Sequence, residues 1–180
     1  MARTACRTPP TIIQGSSWRL CPPRMRFALR VDLEAAAAQA DGSFPVAAAA
    51  CRAQARGDWA ALWLGPDEQL LIGPESAGSA MLAAAAEALR GLNHSLVDVS
   101  HRQGAVEVTG PHAAALMNTG CPLDLDLAVA PVGFCSRTVF AKAEIVLWRL
   151  AEDRFQLQVW RSFMPYVTAL LALTEREFVA

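Results

Sequence analysis

Four side chains within residues 95–125, SLVDVSHRQGAVEVTGPHAAALMNTGCPLDL, are of the types that carry hydrolytic or thiol chemistry: Asp98, Ser100, His101 and Cys121. A serine hydrolase needs its hydroxyl within reach of a base that a carboxylate orients in turn. Ser100 and His101 are adjacent, so on an extended chain they project to opposite faces and cannot share a proton. Asp98 and Ser100 share a face that holds no histidine. The pattern is that of a turn whose side chains bind backbone groups around SHRQG. Cys121, between Gly120 and Pro122, has no cation nearby in sequence to stabilise a thiolate, and is expected to be a buried, inert thiol. Asp124 and Asp126 in LDLDL alternate as two ligands of a divalent cation could. The glycine and further oxygen donors of a calcium loop are missing, so a solvated strand edge or connection is expected.

Motifs for larger ligands are missing as well. No GxGxxG follows a strand and no GxxxxGK[ST] occurs, which leaves dinucleotide or triphosphate binding without a warrant. The cysteines (Cys6, Cys21, Cys51, Cys121, Cys135) are odd in number and never form CxxC, and there are three histidines. We read the cysteines as reduced thiols and expect no zinc or iron–sulfur site. Trp160 and Arg161 stand at a strand–helix junction and are of types enriched in interface anchors, which makes them candidate partner contacts.

The elements that must hold these residues are read from periodicity. RFALRV (26–31) has strand character, and the alanine-rich stretch 35–57 is a weak helix or loop. WAALWL (59–64) and QLLIG (69–73) flank GPDE, where Pro66 presets a turn, so a hairpin is predicted. Ser76 precedes a helix in which Leu82, Ala85, Ala86 and Leu89 recur at helical spacing, and Gly91 stops it. The order returns later: EIVLWRL (144–150), a turn, and RFQLQVW (154–160), whose Phe155, Leu157 and Val159 alternate with polar residues, form a second hairpin with one face in the core. Ser162 is then the expected cap of a helix with Phe163, Tyr166, Val167, Leu170 and Leu171 in one stripe and Pro165 in its first turn. Leu62, Trp63 and Ser76 lie 85 or 86 residues before Leu147, Trp148 and Ser162. Trp63 and Trp148 occupy equivalent strand positions and are expected in the core.

Between the copies, Val97 and Val99, then Val106 and Val108, alternate with polar residues and predict two half-buried strands joined through HRQG. A helix starting near Pro111 and ending at Gly120, a Pro-bounded connection, and a strand over 134–143 complete the chain. The prediction is an α+β protein with a mostly antiparallel sheet and duplicated strand-turn-strand-helix units.

At 180 residues the chain buries a full core without disulfides. It is read as a basic, flexible tail (1–25) followed by one domain (26–180) of two related halves, about 26–92 and 93–180. A net charge of −1 excludes the strong field that would gather nucleic acid or an anionic membrane. No window approaches the roughly 18 uninterrupted apolar residues of a membrane span, so a soluble, cytoplasmic protein is expected. Hydrophobic residues make up 53% and charged ones 18%, apolar enough to suggest surface that a partner covers.

The run VDVSHRQGAVEVTGPHAAALMNTGCPLDLDL, with GFCSRTVFAKAEIVLWRL, DRFQLQVWRSF and ALWLGPDEQLLIGP, resembles the gamma subunit family of heterotetrameric sarcosine oxidase over roughly residues 26–178. The DVSH…VEVTGPHA portion more distantly resembles the glycine-cleavage aminomethyltransferases, whose folate-binding-domain fold the gamma subunits share. The resemblance implies a complex of alpha, beta, gamma and delta subunits that oxidises sarcosine to glycine with release of hydrogen peroxide and a one-carbon unit. It implies direct contact with alpha, and FAD, FMN, NAD and tetrahydrofolate on other subunits, with no cofactor in this chain. Where the aminomethyltransferases carry paired aspartates, this chain reads Ala143 and Glu144; where they carry an asparagine, it reads Trp160 and Arg161. Misplacing a carboxylate by half an ångström or more is enough to spoil catalytic geometry, so a non-catalytic, structural subunit is expected. The rival expectation is a stand-alone folate-binding protein or folate-dependent aminomethyl or formyl transferase, with His101, Arg102, Glu144 and Arg161 as its weak ligand candidates.

Overall fold

The structure, a computed structural model, describes residues 17–176. The first 16 residues of the expected tail, with Arg3, Arg7 and Cys6, lie outside the described residues.

The strands are β1 (Ser17–Leu20), β2 (Met25–Arg30), β3 (Ala53–Arg56), β4 (Trp59–Gly65), β5 (Glu68–Gly73), β6 (Ser95–Asp98), β7 (Gln103–Thr109), β8 (Cys135–Phe140), β9 (Ala143–Ala151) and β10 (Arg154–Trp160). The helices are α1 (Leu33–Ala40), α2 (Gly78–Ala88), α3 (Ala113–Asn118) and α4 (Met164–Glu175). All strand pairs are antiparallel, in two five-stranded sheets ordered β3-β4-β5-β2-β6 and β8-β9-β10-β7-β1. The two orders correspond position by position. The duplicated unit is therefore β-α-β-β-β-α, longer than the repeat that periodicity suggested, and the fifth strand of each sheet, β6 or β1, comes from outside that unit.

Four layers result. Phe27, Leu29, Trp59, Ala61 and Leu71 on one face of the first sheet pack under α1 and α2 with Leu33, Ala36, Met81 and Ala85. Val106, Val108, Ile145, Leu147, Phe155 and Leu157 of the second sheet pack under α3 and α4 with Leu116, Met117, Val167 and Leu171. The remaining faces meet each other through Leu62, Leu70, Ile72, Cys135 and Val146, with Trp63 and Trp148 half-buried beside them. Both faces of the central strands are thus covered, which is why WAALWL and EIVLWRL are nearly unbroken apolar runs.

Local chemistry sets the ends of the elements. Asp32 caps α1, its Oδ1 accepting from the amides of Glu34 (3.0 Å) and Ala35 (3.1 Å). The helix ends where Asp41 and Gly42 turn left-handed, φ 42° and 72°. Ser76 and Ser162 do not cap: a 3-10 turn (Glu75–Ala77) leads into α2, and Phe163 occupies the cap position of α4 without a side-chain bond. In both places the preceding turn satisfies amides through backbone bonds, Ala77 to Pro74 and Met164 to Arg161. The connection 122–134 is organised by buried Arg149, which donates to the carbonyls of Leu125 (2.8 Å) and Ala130 (2.6 Å) and lies over the Phe155 ring.

Five expectations are corrected. Ser17–Leu20 of the expected tail form β1, which pairs with the open edge of β7, Trp18 opposite Val108, and the indole of Trp18 donates to Glu175 of α4. The two strands around SHRQG are not a hairpin, because β6 joins the first sheet beside β2 and β7 crosses to the second; the division between halves therefore falls after β6, not at residue 92. The strand expected over 134–143 folds back at Ala141–Lys142, with Ala141 at φ 52°, so that Phe140 pairs with Ala143. The polar face of β10 is only partly solvated: Arg154 is exposed and Gln156 half-buried, but Gln158 is fully buried, since that face meets the other sheet. The stripe on α4 is split: Val167 and Leu171 enter the core while Phe163 and Tyr166 remain about 40% exposed. Among the described residues no helix is long and apolar enough to cross a membrane.

Candidate functional site

The β6–β7 crossover forms one end of a small cavity between the sheets. Asp98 accepts from the amide of Ser100 (2.8 Å), and the Ser100 hydroxyl accepts from the amide of Arg26 on β2 (2.9 Å). Hydrogen bonding by Ser100, through its side chain first and its amide second, holds the Asp98 carboxyl below its ordinary range, with the His101 charge a minor contributor. Asp98 and Ser100 thus serve the turn. His101 projects into solvent.

After the turn, Gln103 opens β7 opposite Trp160 at the end of β10. Arg102, Gln103 and Trp160, with Arg137 of β8 and Glu144 of β9, line a cavity of about 70 Å³ closed by Leu64 and Leu70 of the first sheet. The Arg102 guanidinium lies 5.2 Å over the Trp160 ring, a cation–π contact. Arg137 donates to Glu68 (2.7 Å) and stands 3.8 Å from Glu144. Of the sequence candidates, Arg102, Glu144 and Trp160 come together here. Arg161 touches the group through its backbone, its amide donating to the Arg102 carbonyl (3.0 Å), while its side chain is exposed. His101 stands apart from the cavity.

Gln103 and Arg137 are polar members that sequence reasoning missed, and Gln103 is the buried one. It is only 6% exposed and its Oε1 is buried without a hydrogen-bond partner. The signal was present in the alternation Gln103, Ala105, Glu107, but a polar alternating face reads as solvent-facing until a second sheet is known to cover it. Small-molecule sites occupy about 300–1,000 Å³; the cavity of about 70 Å³ does not fit a pterin. Its carboxylate, Glu144, is solvent-exposed and faces Arg137.

The other candidates are held by the fold. Cys121 is buried, and burial pushes its thiol up; Cys135, also buried, is pushed to about 12. Asp124 and Asp126 accept from the amides of Asp126 (2.9 Å) and Ala128 (2.8 Å), building two successive turns. Trp160, Phe163, Tyr166 and Leu173 are exposed large apolar side chains along the entry to α4 and the helix itself.

The family model described as the sarcosine oxidase, gamma subunit family matches residues 28–176. Sarcosine oxidase subunit gamma of Corynebacterium sp. (strain P-1) is 31% identical over 121 residues, 67% of this chain and 59% of that protein. The subunit gamma of an Arthrobacter species is 36% identical over 94 residues, 52% of this chain and 45% of that protein. The matched part thus spans about half the length of these curated relatives. Among solved structures, a chain of heterotetrameric sarcosine oxidase from Corynebacterium sp. U-96, in complex with pyrrole 2-carboxylate, superposes with a TM-score of 0.83 at 27% identity over 92% of this chain and 86% of that one. Glycine cleavage system aminomethyltransferase T from Bartonella henselae shares the fold, with a TM-score of 0.65 at 13% identity over 93% of this chain and 50% of that one.

Proposed function

The chain belongs to the sarcosine oxidase gamma subunit family, and from that premise we propose that it is a non-catalytic subunit that packs on a large alpha-type chain and stabilises a heterotetrameric sarcosine oxidase. In this reading the assembly, with beta- and delta-type chains, works in the cytoplasm and oxidatively demethylates sarcosine to glycine, with hydrogen peroxide and a one-carbon unit as co-products. Flavin, NAD and tetrahydrofolate are held by the other chains.

One observation carries the proposal: α4 is apolar on two sides. Val167 and Leu171 bury one side on the second sheet, while Phe163, Tyr166 and Leu173 leave the other open. A helix hydrophobic around its circumference belongs to an interior. Trp160, backed by Arg102 and flanked by Arg161, adds the side-chain types that anchor interfaces. The 70 Å³ cavity beside it supports a structural role over a folate-dependent one.

The test is co-expression of all four chain types, with and without this one, read by size exclusion and sarcosine-dependent peroxide release. Omission is expected to reduce both. Replacing Trp160 and Phe163 by alanine is expected to weaken assembly by about 30-fold or more, the effect of losing about 2 kcal/mol at an anchor. Normal assembly and turnover without the chain would overturn the proposal, as would saturable tetrahydrofolate binding with one-carbon transfer by the isolated chain.

A further inference from the structure

At the other end of the same inter-sheet face lies a larger cleft of about 380 Å³, bounded by β1, β7, β9 and β10 on one side and by β3, β4 and β5 on the other. Its volume falls within the range of small-molecule sites. Trp148, Ile72 and Leu150 supply apolar walls, and Arg19, Arg24 and Arg154 reach the rim.

The cations of this cleft are poorly matched. Arg19 is paired with Glu107 at 2.7 Å. Arg154 makes no side-chain hydrogen bond or ion pair with any described residue. Arg24 donates through Nη2 to the Asp58 carbonyl (2.7 Å), while its Nε is buried without a partner. Behind it lies Arg26, 2% exposed, which donates to Gln158 (2.9 Å) and to the Arg24 carbonyl (2.9 Å) but to no carboxylate. Gln158 in turn donates to Gln156 in the cleft wall. Buried charges are ordinarily paired. Three guanidiniums line the cleft against two carboxylates, Glu107 and Asp58; Arg24 is half-buried and Arg26 behind it fully buried without a carboxylate partner, while Arg19 and Arg154 are exposed. Cys21 adds no counter-charge, since burial and the nearby Glu107 both push its thiol up.

We propose that this cleft binds a small organic anion, a carboxylate on a flat apolar body, with Arg154 and Arg24 gripping the carboxylate and Trp148 lying against the body. Guanidinium forks match a carboxylate in two parallel hydrogen bonds, and an indole face accepts a flat ring. The site is distinct from the cavity of Arg102 and Glu144 and does not depend on the subunit role proposed above.

Arg154 has no internal partner to lose, so Arg154→Met tests the site without endangering the fold. Benzoate is the probe, benzamide its neutral counterpart and inorganic phosphate the bare anion, each titrated into the full chain by calorimetry and followed by tryptophan fluorescence. Benzoate is expected to saturate, benzamide to bind at least about tenfold more weakly, and Arg154→Met to weaken benzoate by about tenfold, the effect of roughly 1.4 kcal/mol. Equal behaviour of benzoate and benzamide, or an unchanged benzoate affinity in Arg154→Met, would overturn the assignment. Phosphate binding as tightly as benzoate would overturn the organic part of it.

Discussion

Replacing Gly73 by alanine probes the tightest packing in the first sheet. A Cβ at this position would stand 2.1–2.4 Å from three ring carbons of Trp59. Ordinary carbon–carbon contacts are about 3.5–4.0 Å, so the indole would have to retreat by more than about 1 Å. Retreat is blocked, because the ring is stacked on Phe27 with centroids 5.7 Å apart and planes 14° from parallel. Overpacking of this kind costs about 1–3 kcal/mol, and the depth of the overlap puts Gly73→Ala near 3 kcal/mol. Trp59→Leu removes the obstacle at its own cost in buried area and stacking. In that background the added methyl has room, and Gly73→Ala is expected to cost under about 1 kcal/mol. Urea denaturation of the four proteins of this cycle yields the coupling energy, expected near 2 kcal/mol in the rescuing sense. Additive costs, within about 0.5 kcal/mol, would show that the two groups do not collide and would refute the reasoning.

Glu175 supplies a pH-dependent outcome. It is nearly fully buried, one oxygen accepts from the Trp18 indole at 3.1 Å, and the other has no partner. Burial raises its carboxyl above the ordinary range, against the smaller opposing effect of the Trp18 bond. The folded chain therefore holds this proton more tightly than the unfolded one; the associated stability is fully present below the ordinary value of 4.5 and is lost as pH rises through the raised value. Glu175→Gln is expected to stabilise by about 1–2 kcal/mol at pH 7, with the gain vanishing near pH 4 in urea titrations; a gain of the same size at both would contradict this account. Asp32→Ala removes both cap bonds of α1 and is expected to cost about 1 kcal/mol in the same assay, with most of it recovered in Asp32→Asn.

The amino-acid order alone determined what depends on near neighbours. The hairpins 59–73 and 144–160 are legible because each strand pairs with the next one along the chain, across a turn whose residues declare it. The same holds for the inert reading of Asp98, Ser100 and His101: adjacency on an extended chain already separates the hydroxyl from the imidazole. A shared site for Arg102 and Glu144 was suggested only by resemblance, and the approach of Trp160 to them not at all, since the three are brought together by different strands and their connections.

What only the tertiary structure decided is what covers each face. Periodicity reports that Gln103 and Glu107, or Gln156 and Gln158, share a side, but water and a second sheet leave the same alternation in the sequence. The crossover from β6 to β7, the docking of Ser17–Leu20 on β7, and the cleft that gathers Arg19, Arg24 and Arg154 all arise from pairings between residues 45 to 92 positions apart. Such contacts are selected by the free energy of the whole packed arrangement, and no local run of residues encodes them.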